Sequence, residues 1–236
     1  MIKLENHEVV GWEHAIRGMR NPMNSWDRSD SCSAYESCTS CDVRKACEEH
    51  FKNKDEFDFF VGPNDHELMM KLAKGGPVHA KYRRMIVVYV DVTAPLYWWK
   101  EMDTYKVGTV ANSCSTMHKI HEKAFEPEDF SHEHLGMLYD EYEKGWNYEY
   151  FFCEVLRGLN AARSAYLQTK NKFYWWQMIQ LLPSSYNQKR TVMLSYEVLH
   201  NIYISRKNHK LDEWREFCQW IEQLPYSECI TVGEET

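Results

Sequence analysis

The sequence lacks any apolar run of about 18 residues, the length that a helix needs to cross a membrane. Residues 1–8 also lack the apolar core of a secretory signal peptide. We therefore expect a cytoplasmic protein without a membrane partner. In that reducing compartment most of the eight cysteines should be thiols, so their even number is no evidence for disulfide bonds.

Positive charge is also scarce, because 28 lysines and arginines face 35 aspartates and glutamates and leave a net charge of -7. A protein that coats nucleic acid needs many basic contacts to phosphate, so this composition argues against a nucleic-acid partner. A small basic pocket for an anion remains compatible with it. Repeats and low-complexity segments are absent, and 236 residues with 44% hydrophobic content can bury one large core.

Four of the cysteines lie close together with the spacing C-x5-C-x2-C-x5-C, and they are Cys32, Cys38, Cys41 and Cys47. The two-residue gap lets the thiolates of Cys38 and Cys41 reach one zinc ion. The surrounding segment, at about 24–55, is polar and poor in aliphatic residues, so it needs a staple to fold. We predict a zinc site here, with an iron-sulfur cluster or unligated thiols as alternatives. The chain then reads as a single domain over residues 1–236 with a Cys-rich insertion.

Apolar periodicity elsewhere predicts mostly helices. Residues 65–74 have leucine and methionine at helical spacing and end at Gly75-Gly76-Pro77, while residues 84–93 are β-branched and aromatic like a buried strand. Helical patterns also cover residues 132–167, where two helices flank Gly145, and residues 173–182, 190–204 and 212–223. These elements predict a helix-rich α/β (α+β) fold.

The strand ends at Ala94-Pro95, and an aromatic, highly charged segment follows it. Charged groups are costly to bury without partners, so some of Lys100, Glu101 and Lys106 should face a cleft. The alternative interpretation is an amphipathic surface helix.

This layout resembles that of the flavin-dependent thymidylate synthases, in which a strand ending in Ala-Pro precedes Arg-Gln, two residues, and Arg-His-Arg-x-x-Ser. In this sequence Lys100 and Glu101 take the places of Arg-Gln, and residues 104–109 take those of the second run. Only Lys106 and Thr109 are chemically similar to their counterparts. Later, Leu182-Pro183 precedes a helical run that reaches Arg206, the position of a phosphate-binding arginine in the family.

The resemblance covers most of the chain and implies the family fold, with a central mixed or antiparallel sheet. It implies cofactor contacts from Thr104, Tyr105, Lys106, Thr109 and His79, and substrate contacts from Lys100, Glu101, Asn112, Ser113, Ser115 and Arg206. For the loop that contains Ser113 and Ser115, a capped turn before a helix is the alternative, since these side chains often bond to local backbone.

The resemblance also implies a chemistry. In the family FAD takes hydride from NADPH, a folate donates one carbon, and the uracil ring of dUMP is methylated without a protein nucleophile, so no catalytic residue is assigned. The implied partners are a nucleotide and a folate, and the implied assembly is a homotetramer. A second hypothesis is a relative that kept the fold and an anion-binding cleft and acts as a non-catalytic nucleotide-binding or sequestering protein.

Overall fold

A computed structural model describes residues 2–33, 59–138 and 146–233. The helices of these residues are α1 (Trp12–Arg20), α2 (Pro63–Lys74), α3 (Leu96–Met102), α4 (Thr116–Lys119), α5 (Tyr148–Thr169), α6 (Lys172–Leu181), α7 (Tyr196–Arg206), α8 (Asp212–Glu222) and α9 (Glu228–Thr231). The strands are β1 (Lys3–Val10), β2 (Val87–Pro95), β3 (Thr109–Ser113), β4 (Met137–Leu138), β5 (Trp146–Asn147) and β6 (Asn187–Ser195).

The main sheet is antiparallel and has four strands in the order β1-β2-β6-β3. Strand β2 forms because Val88, Val90 and Val92 alternate toward one side and are buried there, as a pleated strand requires. A second, two-stranded sheet pairs β4 with β5. The predicted helix-rich α+β fold with an antiparallel sheet is confirmed.

The chain divides into two compact units. The first unit contains Met1–Lys3, Asp91–Thr104 and Asn112–Thr191, and the second contains Leu4–Val90, Tyr105–Ala111 and Val192–Thr236. In the first unit α5 and α6 form a helical hairpin, because Lys170 ends α5 in the left-handed conformation and the side chain of Asn171 caps α6. Phe130, Leu159 and Met178 lie in its core.

The second unit is built on α1, α2, α7 and α8. Gly11 joins β1 to α1 with a φ of 94°, and a Cβ there would lie 2.2 Å from the carbonyl oxygen of Met85, so only glycine fits. The ring of Trp12 packs edge-on against those of Tyr196 and Tyr226. This aromatic contact joins the amino-terminal helix to the carboxyl-terminal part of the chain.

Two of the predicted helices are wrong in part. Residues 190–195 belong to strand β6, and the helix begins only at Tyr196, where the hydroxyl of Ser195 accepts a hydrogen bond from the Val198 backbone. Upstream of Gly145, the described residues 132–138 form a turn and strand β4 instead of a helix. The predicted helices at 65–74, 173–182 and 212–223 are confirmed by α2, α6 and α8.

Described residues near the two ends of the Cys-rich segment bond to each other and to α2. Cys32 and Phe60 form an antiparallel bridge with backbone hydrogen bonds of 3.0 and 2.9 Å. Just before it, the carboxylate of Asp30 accepts hydrogen bonds from the backbone of Asn64 and Asp65 in the first turn of α2. Cys38, Cys41 and Cys47 lie outside the described residues. No helix in the described ranges has both the length and the apolar character of a membrane span.

Candidate functional site

Arg206 and Tyr105 are in direct contact within the second unit. Nε of Arg206, at the end of α7, donates a 3.0 Å hydrogen bond to the hydroxyl of Tyr105. The guanidinium also lies 4.9 Å from the ring centre of Trp214 and 5.8 Å from that of Tyr105. A guanidinium over aromatic faces keeps its charge and loses freedom, so Arg206 is pre-oriented.

The aromatic side chains around Arg206 are fixed by α8. Trp214 is fully buried near the start of this helix, and its ring lies 6.0 Å from that of Tyr105. The turn between α7 and α8 contributes His209, whose ring contacts Trp214 on another side. The position of Arg206 therefore depends on the packing of a helix that follows it in the sequence.

The backbone of residues 105–109 approaches α7 closely. Gly108 has a φ of 80°, and a Cβ there would lie 3.2 Å from a methyl group of Val198. Next to it, the hydroxyl of Thr109 is buried and has no hydrogen-bond partner in the described part of the chain. Lys106 is exposed. The second unit thus brings Tyr105 to Arg206 at the end of α7, and Gly108 close to Val198 near its start.

The remaining predicted residues lie elsewhere. Lys100, Glu101 and Thr104 lie in or just after α3, and Asn112, Ser113 and Ser115 lie around the end of β3, all in the first unit. The Thr104 hydroxyl donates to the carbonyl of Glu101 at 2.7 Å. Ser115 caps α4 by accepting a hydrogen bond from the backbone of His118, which is the local role that the alternative interpretation predicted.

His79 is remote in sequence from residues 104–109, the predicted cofactor segment. It is exposed in the turn after α2, and its backbone nitrogen donates to the carbonyl of Gly76 at 3.0 Å. A Cβ at Gly75 would lie 3.2 Å from the ring of His79, so this ring lies close to the backbone at the end of α2.

A polar cluster around Arg190 in the first unit was not predicted. The guanidinium lies 4.1 Å from the ring centre of Trp99 and donates to Asp103 at 2.8 Å and to Gln188 at 3.0 Å. Gln188 in turn donates to the hydroxyl of Thr116. Gln188 and Arg190 are two residues apart, and in a strand this spacing puts both side chains on one face. The helical pattern assigned to residues 190–204 concealed it.

A second unpredicted feature is the buried Arg83 in the second unit. Its three guanidinium nitrogens have no hydrogen-bond partner among the described residues, and it forms an ion pair with Glu197, with 3.8 Å between nitrogen and oxygen. Glu197 lies in the first turn of α7 and is also 3.8 Å from the exposed Arg84. Carboxylate and guanidinium charges thus offset each other beside the helix that ends at Arg206.

Within the described ranges, no group of three or more histidine, cysteine or acidic side chains could bind a metal ion. Of the four predicted zinc ligands only Cys32 is described, and it lies half-buried in the bridge to Phe60. The thiols of Cys218 and Cys229 are poor nucleophiles, because burial raises the pKa of the first to about 11 and of the second to about 12.

An antiparallel four-stranded sheet with these helices is the fold of the flavin-dependent thymidylate synthases. The chain is similar to a structure of thymidylate synthase X (ThyX) from Helicobacter pylori with FAD and dUMP, with 13% identity and a TM-score of 0.61 over 98% of this chain and 100% of the other. A second ThyX structure from that organism, also complexed with FAD and dUMP, gives 13% identity and a TM-score of 0.60 over 98% and 97% of the two chains.

A third similar structure is the UMP/dUMP methylase PolB from Streptomyces cacaoi bound with 5-Br dUMP. It shares 12% identity, with a TM-score of 0.53 over 98% of this chain and 94% of the other. No protein-family model and no curated protein matches the sequence. The likeness therefore concerns the fold, and the predicted fold is confirmed.

The flavin cofactor that this fold implies can be tested against the side chains of the second unit. A flavin dinucleotide needs donors for its phosphates, and the buried, unpartnered hydroxyl of Thr109 and the exposed ammonium of Lys106 are such donors. Tyr105 is different, because its hydroxyl already accepts a hydrogen bond from Arg206. The residues present fit a phosphate of the cofactor at Lys106 and Thr109.

Proposed function

We propose that this protein binds a pyrimidine deoxynucleotide such as dUMP and transfers a one-carbon unit to it, with FAD, NADPH and a folate as co-reactants. The observation that supports the proposal is the pre-oriented guanidinium of Arg206 on Tyr105 and Trp214, a residue that the sequence resemblance aligns with the family's phosphate-binding arginine. A fixed guanidinium suits phosphate because its planar set of donors matches the phosphate oxygens.

The predicted residues then have the following roles. Arg206 would bind the nucleotide phosphate, and by the sequence resemblance Lys100, Glu101, Asn112, Ser113 and Ser115 would contact substrate. Lys106 and Thr109 would bind a phosphate of FAD, with Thr104, Tyr105 and His79 as further cofactor contacts. When bound, the flavin supplies hydride, and this chain's own residues bind and orient the reactants, which can contribute much of the rate enhancement.

The first test is the visible absorbance of the purified protein, followed by the release of tritium from 5-labelled dUMP with folate, FAD and NADPH present. We expect flavin absorbance, at least after addition of FAD, and tritium release that depends on every component. If flavin neither copurifies nor binds, and no tritium is released, the proposed reaction is wrong.

The nucleotide site is tested separately by dUMP binding to Arg206→Gln. Loss of one charged hydrogen-bonding partner costs about 1.5–3 kcal/mol, so we expect the Kd for dUMP to rise roughly 10- to 100-fold. Lys207→Gln is the matched control, because it removes the same charge from the next, exposed residue. Equal affinities of the two variants would contradict the role of Arg206, provided that both retain the thermal stability of the parent.

A non-catalytic nucleotide-binding protein is the second candidate. It is favoured by one observation: the aromatic ring and the hydroxyl of Tyr105 are engaged by Trp214 and Arg206, and Lys106 is the one cation of the segment 104–109. In this case dUMP binds and the Arg206→Gln effect persists, while flavin absorbance and tritium release are both absent.

We also propose that the chain forms a homotetramer. Exposed aromatic side chains support self-association, since large aromatic residues are enriched in interfaces. In the first unit Phe151, Phe173 and Trp176 are each more than two-fifths exposed. Sedimentation equilibrium should give four times the chain mass, and a monomer mass at micromolar concentration would contradict this assembly.

A further inference from the structure

A cavity of about 350 Å³ lies beside α1 in the second unit, and it involves none of the residues proposed above to bind nucleotide or flavin. One wall is a face of α1 that contributes Ile16, Arg17 and Arg20, which are spaced at three and four residues. Trp26 and Phe59 supply aromatic surface to the lining. The volume is at the lower end of the range of about 300–1,000 Å³ that is typical of small-molecule sites.

The floor of the cavity is rigid because Arg20 is tied into a buried network. Nε of Arg20 donates to Asp65 at 2.5 Å, and Nη1 donates to Ser25 at its carbonyl and hydroxyl oxygens. The hydroxyls of Ser29 and Ser31 both donate to the same carboxylate at 2.7 Å. The remaining nitrogen of Arg20, Nη2, has no partner among the described residues, although the side chain is only 4% exposed.

Arg17 is the cation that remains for an anion. Among the described residues, two arginines, Arg17 and Arg20, and one acidic residue, Glu13, line the cavity, and Arg20 is already paired with Asp65. Arg17 is exposed and makes no ion pair with the described residues. Asp65 forms its ion pair with Arg20, and no contact among the described residues joins it to Arg17.

The aromatic side favours a planar ring. The indole nitrogen of Trp26 donates to the side chain of Asn21 at 2.8 Å, which fixes the indole although half of its surface is exposed. An exposed but immobilised aromatic face offers stacking at little entropic cost. Phe59 adds a buried ring to the same lining.

We infer that this cavity binds a small molecule that combines a planar ring with a phosphate or carboxylate group. The anionic group is bound by Arg17 at the rim and by the unpartnered nitrogen of Arg20, and the ring lies against Trp26. A phosphate and a carboxylate share this chemistry, and the two are separated by the probes below.

The probes are phenyl phosphate, benzoate and uncharged benzamide, titrated into the full-length protein by calorimetry. We expect saturable binding of at least one anionic probe, with benzamide at least tenfold weaker. Tighter binding of phenyl phosphate assigns a phosphate ligand, and tighter binding of benzoate assigns a carboxylate ligand. No saturable binding, or equal binding of benzamide, overturns the inference.

The site is located by variants. Arg17→Gln and Trp26→Leu change exposed side chains, so the fold should persist, and each should weaken the anionic probe at least fivefold. Arg28→Gln is the matched control, because Arg28 is an exposed arginine of the same short segment that does not line the cavity. In an Arg206→Gln background, Arg17→Gln should weaken the anionic probe by the same factor. If the anionic probe no longer binds to Arg206→Gln but still binds to Arg17→Gln, the inference is overturned. The proposed nucleotide site at Arg206 would still stand.

Discussion

The carboxylate of Asp65 is fully buried and accepts five hydrogen bonds, from the side chains of Arg20, Ser29 and Ser31 and from two backbone nitrogens. Its partners lie 34 to 45 residues earlier in the sequence. It therefore joins α1 and the base of the Cys-rich segment to the first turn of α2. The sequence predicted Asp65 only as a residue that opens a helix, because nothing local identifies partners so far away.

Replacement of Asp65 by asparagine should strongly destabilise the protein. Asparagine cannot neutralise the buried guanidinium of Arg20, and breaking a buried ion pair costs about 3–5 kcal/mol. The free energy of unfolding in urea measures the effect. Asp27→Asn, at an exposed position, is the control and should change it by less than about 0.5 kcal/mol. Equal stabilities of the two variants would show that the network contributes nothing.

Asp65 also predicts how stability responds to acid. Burial alone would raise the pKa of Asp65, but the hydrogen bonds from Ser31 and Ser29 and the charge of Arg20 outweigh burial and lower the pKa below its usual 3.8. A lowered folded pKa means that the carboxylate stabilises the fold fully above pH 3.8 and that this contribution is lost as pH falls through the folded value. The difference in unfolding free energy between the parent and Asp65→Asn should shrink in that acidic range, as measured by urea titrations between pH 7 and pH 2. A constant difference would argue against the assigned shift.

Gly11, which joins β1 to α1, is a position where one substitution should lower the free energy of unfolding. Alanine at Gly11 would meet the backbone oxygen of Met85 and would be strained at a φ of 94°. We expect a loss of ~2 kcal/mol or more in unfolding free energy. Gly136→Ala is the control, since a Cβ there meets no atom within 4 Å, and it should be nearly neutral. A neutral Gly11→Ala would mean that β1 and α1 can adjust without cost.

Elements with strong local signals were predictable, among them strand β2 at the predicted residues 84–93, whereas elements with weak local signals were not. Helix α2 was found because it has periodic apolar residues and a glycine-rich end, both within 12 residues. The predicted helix 190–204 overlaps strand β6 at residues 190–195, because Val192 and Leu194 alternate toward the core over only a few positions and the neighbouring strands β2 and β3 are remote in sequence. Strands β4 and β5 have two residues each, which is too short for a recognisable alternating pattern.

For the candidate site, the sequence placed Arg206 and Tyr105 in one region only through a family resemblance. The aromatic contact with Trp214 that orients Arg206 had no signal, since it arises when α8 folds back on α7. Likewise, the polarity of residues 188–191 gave no hint that Arg190 lies on Trp99. Spacing identifies residues on one element, whereas these contacts join different elements.

The molecule as a whole matches known structures over 98% of its length, while its Cys-rich segment remains a prediction from sequence. We expect protein purified under reducing conditions to contain about one zinc ion per chain, bound by Cys32, Cys38, Cys41 and Cys47. Inductively coupled plasma mass spectrometry measures the zinc content per chain. Cys38→Ser and Cys41→Ser should each abolish zinc binding. Cys153→Ser, at an exposed cysteine of α5, should leave it unchanged. Iron in place of zinc would point to a cluster, and no metal would leave the thiols unligated.

The bridge between Cys32 and Phe60 has a wider consequence. Residues directly opposite in an antiparallel pair lie only about 5 Å apart, so the stretch between them departs from and returns to a single spot. A change in the length of this stretch should therefore have little effect on stability, because each doubling of a loop costs only about 0.6 kcal/mol in closure entropy. Insertions or deletions between Cys32 and Phe60 that keep this pair intact should therefore leave the pairing at the start of α2 in place.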